Sequence, residues 1–469
     1  MDRRLHDLFP TRRDVLKWGG VALSSVWFER VTWPLSVRAS GAANPRGTAR
    51  NCILIEMGGA MSQMDCWDFK ETRYTPKDLD VRKAAADIYL SKTFFPQLSE
   101  QVDRLAFVRS MRSPELVHFN GQYHTQTGRA QNVAVAKEIP AFGTVVAAEL
   151  DSSRRESDTF PPYVSTFLTR ARAGSIGSGF FPARFAAFDL DPLSVFQSFA
   201  GNREGVDQLL ERRWNLLGSL AEVSRAERAS LGVKASDYKA FYKEAYRILN
   251  DPRWAAVFKA AEDERQRYGE DEFGLGCILA RNLLSADAGT RFVYIYDGDR
   301  WDHHSYIFDR NRPGGRNHYA TCNRLDKGLS SLLKDLSSLP GHEPAKTMLD
   351  ETLIVATSEF GRTPDLNPVQ GRDHYRFTYS ALFAGGGVKG GRAIGRTNDD
   401  GSQCIDTGWK HKEQPQMDNI VATIYSALGV DWTKTAENTP SGRSYHYIET
   451  APIGGAEFIT NDVIDELFQ

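Results

Sequence analysis

The stretch Phe292–Ser305, FVYIYDGDRWDHHS, joins five apolar or aromatic residues to three aspartates and two histidines. Carboxylate oxygen and neutral imidazole nitrogen are the usual protein ligands of divalent metals. Asp302, His303 and His304 follow closely on residues of strand-forming type. In open α/β sheets, ligands sit just beyond the carboxyl ends of strands. The competing reading is an exposed Asp-rich turn with two solvated histidines. The same juxtaposition recurs twice: ETLIVAT (351–357) runs into Ser358-Glu359, and RLAFVR (104–109) runs towards His118. Asp373-His374 follows shortly after Glu359. Three such coincidences argue that these loops meet at one edge of one sheet. Each residue keeps a plainer reading: Glu359 as a strand-end cap paired with Arg362, His374 as a surface histidine, His118 as a core or capping histidine. Arg362 and Arg372 could pair with an anionic substrate or form solvated ion pairs.

The elements that must hold these residues can be read from the hydrophobic pattern. A first strand over Cys52–Met57 runs into Gly58-Gly59, where backbone can approach a neighbour closely. Ser113-Pro114-Glu115 has the form of a helix start. The chain then breaks at Asn120-Gly121 and forms a short helix closed by Gly128. His118 would stand just before that helix, near N–H groups that attract anions and favour a neutral ring. Further helices are expected near 143–150, 273–286, 319–339 and 418–428, with a strand over 379–384. Residues 140–200 are otherwise expected to be irregular, and about 205–270 to form a helical insertion. The run Gly385–Gly391 lacks the strand–GxGxxG–helix order of a dinucleotide site and the spacing of a P-loop. It is expected to be a loop or hairpin beside the site.

The composition narrows the field. The chain has 469 residues, 41% hydrophobic and 25% charged, with a net charge of -2. This is ordinary for a globular chain with a large core. No basic run points to a nucleic-acid partner. The five cysteines (52, 66, 277, 322, 404) include no CxxC pair, so neither a disulfide framework nor a cysteine zinc site is expected. The N-terminus carries the twin-arginine pattern Thr11-Arg12-Arg13-Asp14-Val15-Leu16-Lys17, an apolar segment to Phe28, and small residues at 39–42. It reads as an export signal over 1–42, with a folded domain over 50–469. No other segment has the roughly 18 apolar residues that span a bilayer. The product is expected in the periplasm or outside the cell.

Several motifs in order resemble the family named domain of unknown function 1501, exported bacterial proteins related to the alkaline phosphatase and sulfatase superfamily. They are Gly58-Gly59 with Asp65 and Asp68-Phe69-Lys70, the block His118–Arg129, Arg267-Tyr268-Gly269, Leu279-Ala280-Arg281, Trp301–His304, Glu359–Pro364, Gly371–His374 and Ala384–Gly391. The resemblance implies an alkaline-phosphatase-like α/β/α sandwich with a mostly parallel central sheet. It implies one or two divalent ions (zinc, manganese or calcium) held among Asp65, Asp302, His303, His304, Glu359, Asp373 and His374. Thr127-Gly128-Arg129 is similar to the end of the sulfatase nucleophile motif, which puts His118 at the nucleophile's place. The implied function is hydrolysis of phosphate or sulfate esters, the substrate an anionic ester such as a sulfated or phosphorylated glycan, with Arg362 and Arg372 binding it. Glu and Phe stand at 359 and 360 where the superfamily has Asp and His. Such departures keep open a catalytically degenerate protein that binds a glycan or protein partner.

Overall fold

The computed structural model describes residues 36–38, 43–199, 248, 251–449 and 461–469. The twin-arginine stretch and most of the expected helical insertion lie outside the described residues.

The central sheet is built from β1 (Asn51–Glu56), β2 (Leu105–Met111), β3 (Tyr163–Thr166), β4 (Phe188–Leu190), β5 (Phe292–Tyr296), β6 (Thr352–Thr357), β7 (Tyr379–Ala384) and β8 (Arg392–Ile394). Its spatial order is β8-β2-β7-β6-β1-β5-β3-β4. Every pairing is parallel except the two made by β7, which runs antiparallel to both β2 and β6. Every residue of β1, β5 and β6 is buried. Strands covered on both faces read as continuous apolar runs, as these do. Alternate residues go to opposite faces: Ile53, Ile55, Val293, Ile295, Ile354 and Ala356 to one core, Cys52, Leu54, Tyr294, Leu353 and Val355 to the other.

Helices cover both faces. The first core is closed by α3 (Glu272–Ser285) and α4 (His318–Ser338), the second by α2 (Phe142–Glu149) and α5 (Met417–Ala427). Asp271 caps α3 through the N–H groups of Phe273 and Gly274, and Asn317 caps α4 through that of Ala320. Fully burying each Val, Leu or Ile side chain contributes about 1.5–3 kcal/mol. The architecture is thus an α/β/α sandwich around a mostly parallel sheet. Among the described residues no helix is long and apolar enough to cross a membrane.

Register decides where the loops emerge. Glu56 lies opposite Tyr296 on one side and Thr357 on the other, so β1, β5 and β6 end in one row. β2 runs parallel to them and delivers the chain towards α1 (His118–Thr127) at the same edge.

Four local readings differ from the sequence pattern. Ser113-Pro114-Glu115 starts no helix; the chain stays irregular to Val117, and α1 runs straight through Asn120-Gly121 before closing on Gly128 (φ 65°). Gly121 is needed there for packing, since a Cβ would come within 2.7 Å of Glu359 Cβ. The stretch 140–200 holds two strands, β3 and β4. Because β7 is antiparallel, Gly385–Gly391 emerges at the far edge of the sheet; a Cβ on Gly386 would press on Leu353 and Ala49 there. That loop is not beside the site.

Candidate metal centre

Four side chains converge where β1, β5 and β6 end: His118, Asp302, His304 and His374. His118 is the first residue of α1, Asp302 and His304 lie on the loop after β5, and His374 lies in a short strand paired with Arg362. Asp302 Oδ1 lies 3.2 Å from His118 Nε2, 3.0 Å from His304 Nε2 and 3.7 Å from His374 Nε2. The two nitrogens of His304 and His374 are 2.9 Å apart.

The opposite face of each ring is fixed by an oxygen. His118 Nδ1 donates to Glu359 Oε1 at 2.7 Å, His304 Nδ1 to Asp373 Oδ1 at 2.8 Å, and His374 Nδ1 to the Leu116 carbonyl at 2.8 Å. Each of those oxygens only accepts, so each Nδ1 carries the hydrogen and each neutral ring presents an Nε2 lone pair to the centre. This is how metal-binding histidines are oriented by a carboxylate or carbonyl behind them.

Three lone pairs and a carboxylate oxygen on one point require positive charge, from protons or from a cation. Two sources are present. Arg362, almost fully buried, donates through Nη2 to Asp302 Oδ1 at 2.6 Å and lies 3.3 Å from His304 Nε2. Arg172, more exposed, holds Asp302 Oδ2 and Asp299 Oδ2, each at 2.8 Å. Burial alone would raise the Asp302 pKa, but His118, His374 and Arg362 hold its carboxyl far below the ordinary range. Burial alone would lower the His118 pKa; the Asp302 and Glu359 carboxylates on either side outweigh it and raise it to about 9. The helix start that favours a neutral ring is therefore overridden by two carboxylates.

The donor set fits a divalent cation. Tetrahedral coordination at about 2.05 Å puts ligand atoms about 3.3 Å apart, and the separations of 2.9, 3.0, 3.2 and 3.7 Å bracket that value. The buried His118 Nε2 has Asp302 Oδ1 at 3.2 Å as its near neighbour, so a cation between them would serve both atoms.

The other expected site residues stand around or apart from this group. Glu359 does not join it: its Oε1 also accepts the Gly59 N–H at 2.9 Å and its Oε2 the Ala60 N–H at 3.3 Å. It anchors His118 to the loop after β1. Gly59 (φ 93°) allows that loop to pass, since a Cβ would come within 2.5 Å of the Asp302 nitrogen. Asp373 is the anchor of His304. Asp65 and Arg372 form a buried bidentate pair, 2.8 and 3.0 Å, which leaves neither free for a metal or a substrate. Arg362 is spent on Asp302 and on the carbonyls of Gly59, Ala60 and Arg372. His303 turns away; burial keeps its ring neutral, and its Nε2 lies buried without a partner.

The sequence pattern did not reveal Arg172, whose stretch carries no motif, nor the carbonyl of Leu116. It also missed a second cluster beneath the first. There, Cys66 Sγ lies 3.1 Å from His318 Nε2 and 3.7 Å from Cys322 Sγ. Two of the five cysteines thus meet a histidine, although no CxxC pair exists. The one available signal was His318 and Cys322 at helical i, i+4 spacing.

No curated protein matches the chain in sequence. Among solved structures it is similar to Ps i-CgsB in complex with k-i-k-neocarrahexaose, at 11% identity and TM-score 0.40, over 81% of this chain and 72% of that one. It is also similar to the PsFucS1 sulfatase from Pseudoalteromonas sp., at 12% identity and TM-score 0.36, over 88% and 72%. A third is a protein in the alkaline phosphatase superfamily from Vibrio parahaemolyticus, at 11% identity and TM-score 0.35, over 90% and 77%. The family model described as protein of unknown function (DUF1501) matches residues 49–449, a span that holds all four convergent side chains, and the chain belongs to that family.

Proposed function

We propose that this chain is a metal-dependent hydrolase of phosphate or sulfate esters that works outside the cytoplasm. The observation that carries this reading is the convergence of three imidazoles, each anchored from behind, on Asp302. His118, Asp302, His304 and His374 would hold the ion. A set rich in imidazole suits zinc better than manganese or calcium, which prefer oxygen. When bound, the ion supplies Lewis-acid stabilisation of an ester's non-bridging oxygen.

The chain's own groups would do the rest. The first turn of α1 has no side-chain cap, because Val117 stands at the N-cap, so its N–H groups are available to an anionic oxygen. Arg172, at the open side, would orient the anion while keeping Asp302 ionised. His118 must lose its proton to ligate, and Glu359 holds the ring in the tautomer that does so. We assign His118 as a ligand in preference to a nucleophile, since its Nε2 faces the group. The ester class rests on the sequence resemblance to the sulfatase superfamily, and a sulfated or phosphorylated glycan is the proposed substrate.

The test is turnover of a panel of chromogenic phosphate and sulfate esters by protein loaded with zinc or manganese. His118→Asn should lose both metal and activity. Retained metal with lost activity would restore the nucleophile assignment. A second reading is a protein that binds without turnover, favoured because none of the four convergent side chains is a Ser, Thr or Cys nucleophile. It would hold if fully loaded wild type turned over no ester yet was protected from unfolding by an anionic glycan. Export is proposed on the Arg12-Arg13 pattern, and export of an R12K/R13K precursor at the wild-type level in fractionated cells would refute it.

A further inference from the structure

Beneath the loop that carries Asp302 and His304, three soft or borderline donors meet in the core. His318 and Cys322 share one face of α4, one turn apart. Cys66 follows the short turn Gln63–Asp65 on the loop after β1. All three are buried, with both sulfurs at or below 1% exposure. The rings of Phe94, Trp301 and Phe308 stand edge-on to His318, with centroids 5.2, 5.9 and 6.1 Å away. No substrate reaches such a place, so nucleophilic catalysis by Cys66 is excluded.

We propose that Cys66, Cys322 and His318 form a second, buried site for one thiophilic cation of the zinc or copper(I) class. The geometry fits. Zn–S bonds near 2.3 Å and Zn–N near 2.05 Å in a tetrahedron put sulfurs about 3.8 Å apart and sulfur and nitrogen about 3.6 Å apart. The separations here are 3.7 Å and 3.1 Å. A disulfide needs its sulfurs at about 2.05 Å, and these sit in simple contact. Thiolate with imidazole is the donor set that selects zinc and copper(I) over magnesium, calcium or manganese.

His318 turns its Nε2 to Cys66 Sγ and keeps Nδ1 on the far side of the ring, so Nε2 is the atom offered to the cation. A cation here would join the loop after β1 to α4, on which the loop after β5 packs, and so brace the underside of the first centre. This inference does not depend on the hydrolase reading.

Cobalt(II) loaded into the wild-type protein separates the two centres. Thiolate ligation gives an intense near-ultraviolet charge-transfer band; imidazole and carboxylate ligation does not. The proposal expects such a band at one equivalent, its loss in C66S and in C322S, and its persistence in C277S, a buried cysteine elsewhere. Should C66S and C322S fail to fold, a mercurial titration of folded C404S, which lacks the partly exposed thiol outside the cluster, must release one zinc or copper per two thiols modified. Elemental analysis of the purified protein then tells zinc from copper. Absence of the band while cobalt fills the His118–Asp302 centre would overturn the proposal. So would a Cys66–Cys322 disulfide in freshly purified protein, or modification of both Cys66 and Cys322 that releases no metal.

Discussion

Glu359→Gln changes one charge and almost no volume, and it isolates the anchoring of His118. The carboxylate accepts three bonds: from His118 Nδ1 at 2.7 Å and Gly59 N–H at 2.9 Å on Oε1, and from Ala60 N–H at 3.3 Å on Oε2. A glutamine can keep its oxygen for the first two. Its NH2 must then face the Ala60 N–H, donor against donor. Leaving buried donors unpaired costs about 1–3 kcal/mol. The loss of charge also weakens the hold on the ring that presents Nε2. Changes to the group behind a ligating histidine typically lower metal affinity by about 10–100-fold. The expected outcome is zinc affinity reduced within that range, read by competition with a chromophoric chelator, and a lower melting temperature of the metal-free protein. Unchanged zinc affinity in folded E359Q would refute the argument that Glu359 fixes a metal ligand.

Three further outcomes follow from other parts of the molecule. Chelation should lower the melting temperature of metal-loaded wild type, because ligand at about 100 times its dissociation constant contributes about 2.7 kcal/mol; the shift should be smaller in H374A, and calorimetry with and without chelator checks it. Asp335 on α4 receives Arg267 at 2.9 Å, Arg281 at 2.5 Å and the Tyr268 hydroxyl at 2.8 Å. D335A leaves Arg267 and the Tyr268 hydroxyl without this partner, while Arg281 keeps Glu264 at 2.7 Å, and should cost about 1–3 kcal/mol in denaturant unfolding. Asp326 accepts the N–H groups of Gln97 and Leu98, yet burial raises its carboxyl to about 6. The native state therefore holds this proton more tightly than the unfolded chain does. Its contribution is full below about pH 4 and lost as pH rises through about 6, up to about 3 kcal/mol at 1.36 kcal/mol per unit. D326N should flatten the wild-type dependence of stability on pH across that window.

The legible parts of the chain were those with one dominant physical cause. β1, β5 and β6 are buried on both faces, so their sequences are apolar runs that end in polar residues. Those ends marked the site edge and brought forward Asp302 and His304 just after β5 and Glu359 just after β6, while His118 was expected there as a nucleophile and His374 as one of seven candidate ligands. Strands β3 and β4, at one edge of the sheet, are 4 and 3 residues long and sit in a stretch rich in Phe, Pro and Gly. They are too short to show a period. Strand direction has no local signature, which is why Gly385–Gly391 was expected at the wrong edge. The division between ligand and anchor was also hidden. Asp302 and Glu359 are both carboxylates after buried strands; the Gly59 and Ala60 N–H groups decide their roles, and they come from 300 and 299 residues away. Asp65 pairs with Arg372 across 307 residues, and Cys66 meets His318 across 252. Contacts of that span are set by the sheet's topology and leave no pattern in the chain.

The central claim is that His118, Asp302, His304 and His374 share one divalent cation. Anomalous diffraction at the zinc edge, from crystals of zinc-loaded protein, tests it directly. The account predicts a peak about 2.0–2.2 Å from the three Nε2 atoms and an Asp302 oxygen. Zinc-loaded crystals with no peak there, and with Arg362 still donating to Asp302 in an unchanged cluster of rings, would contradict it.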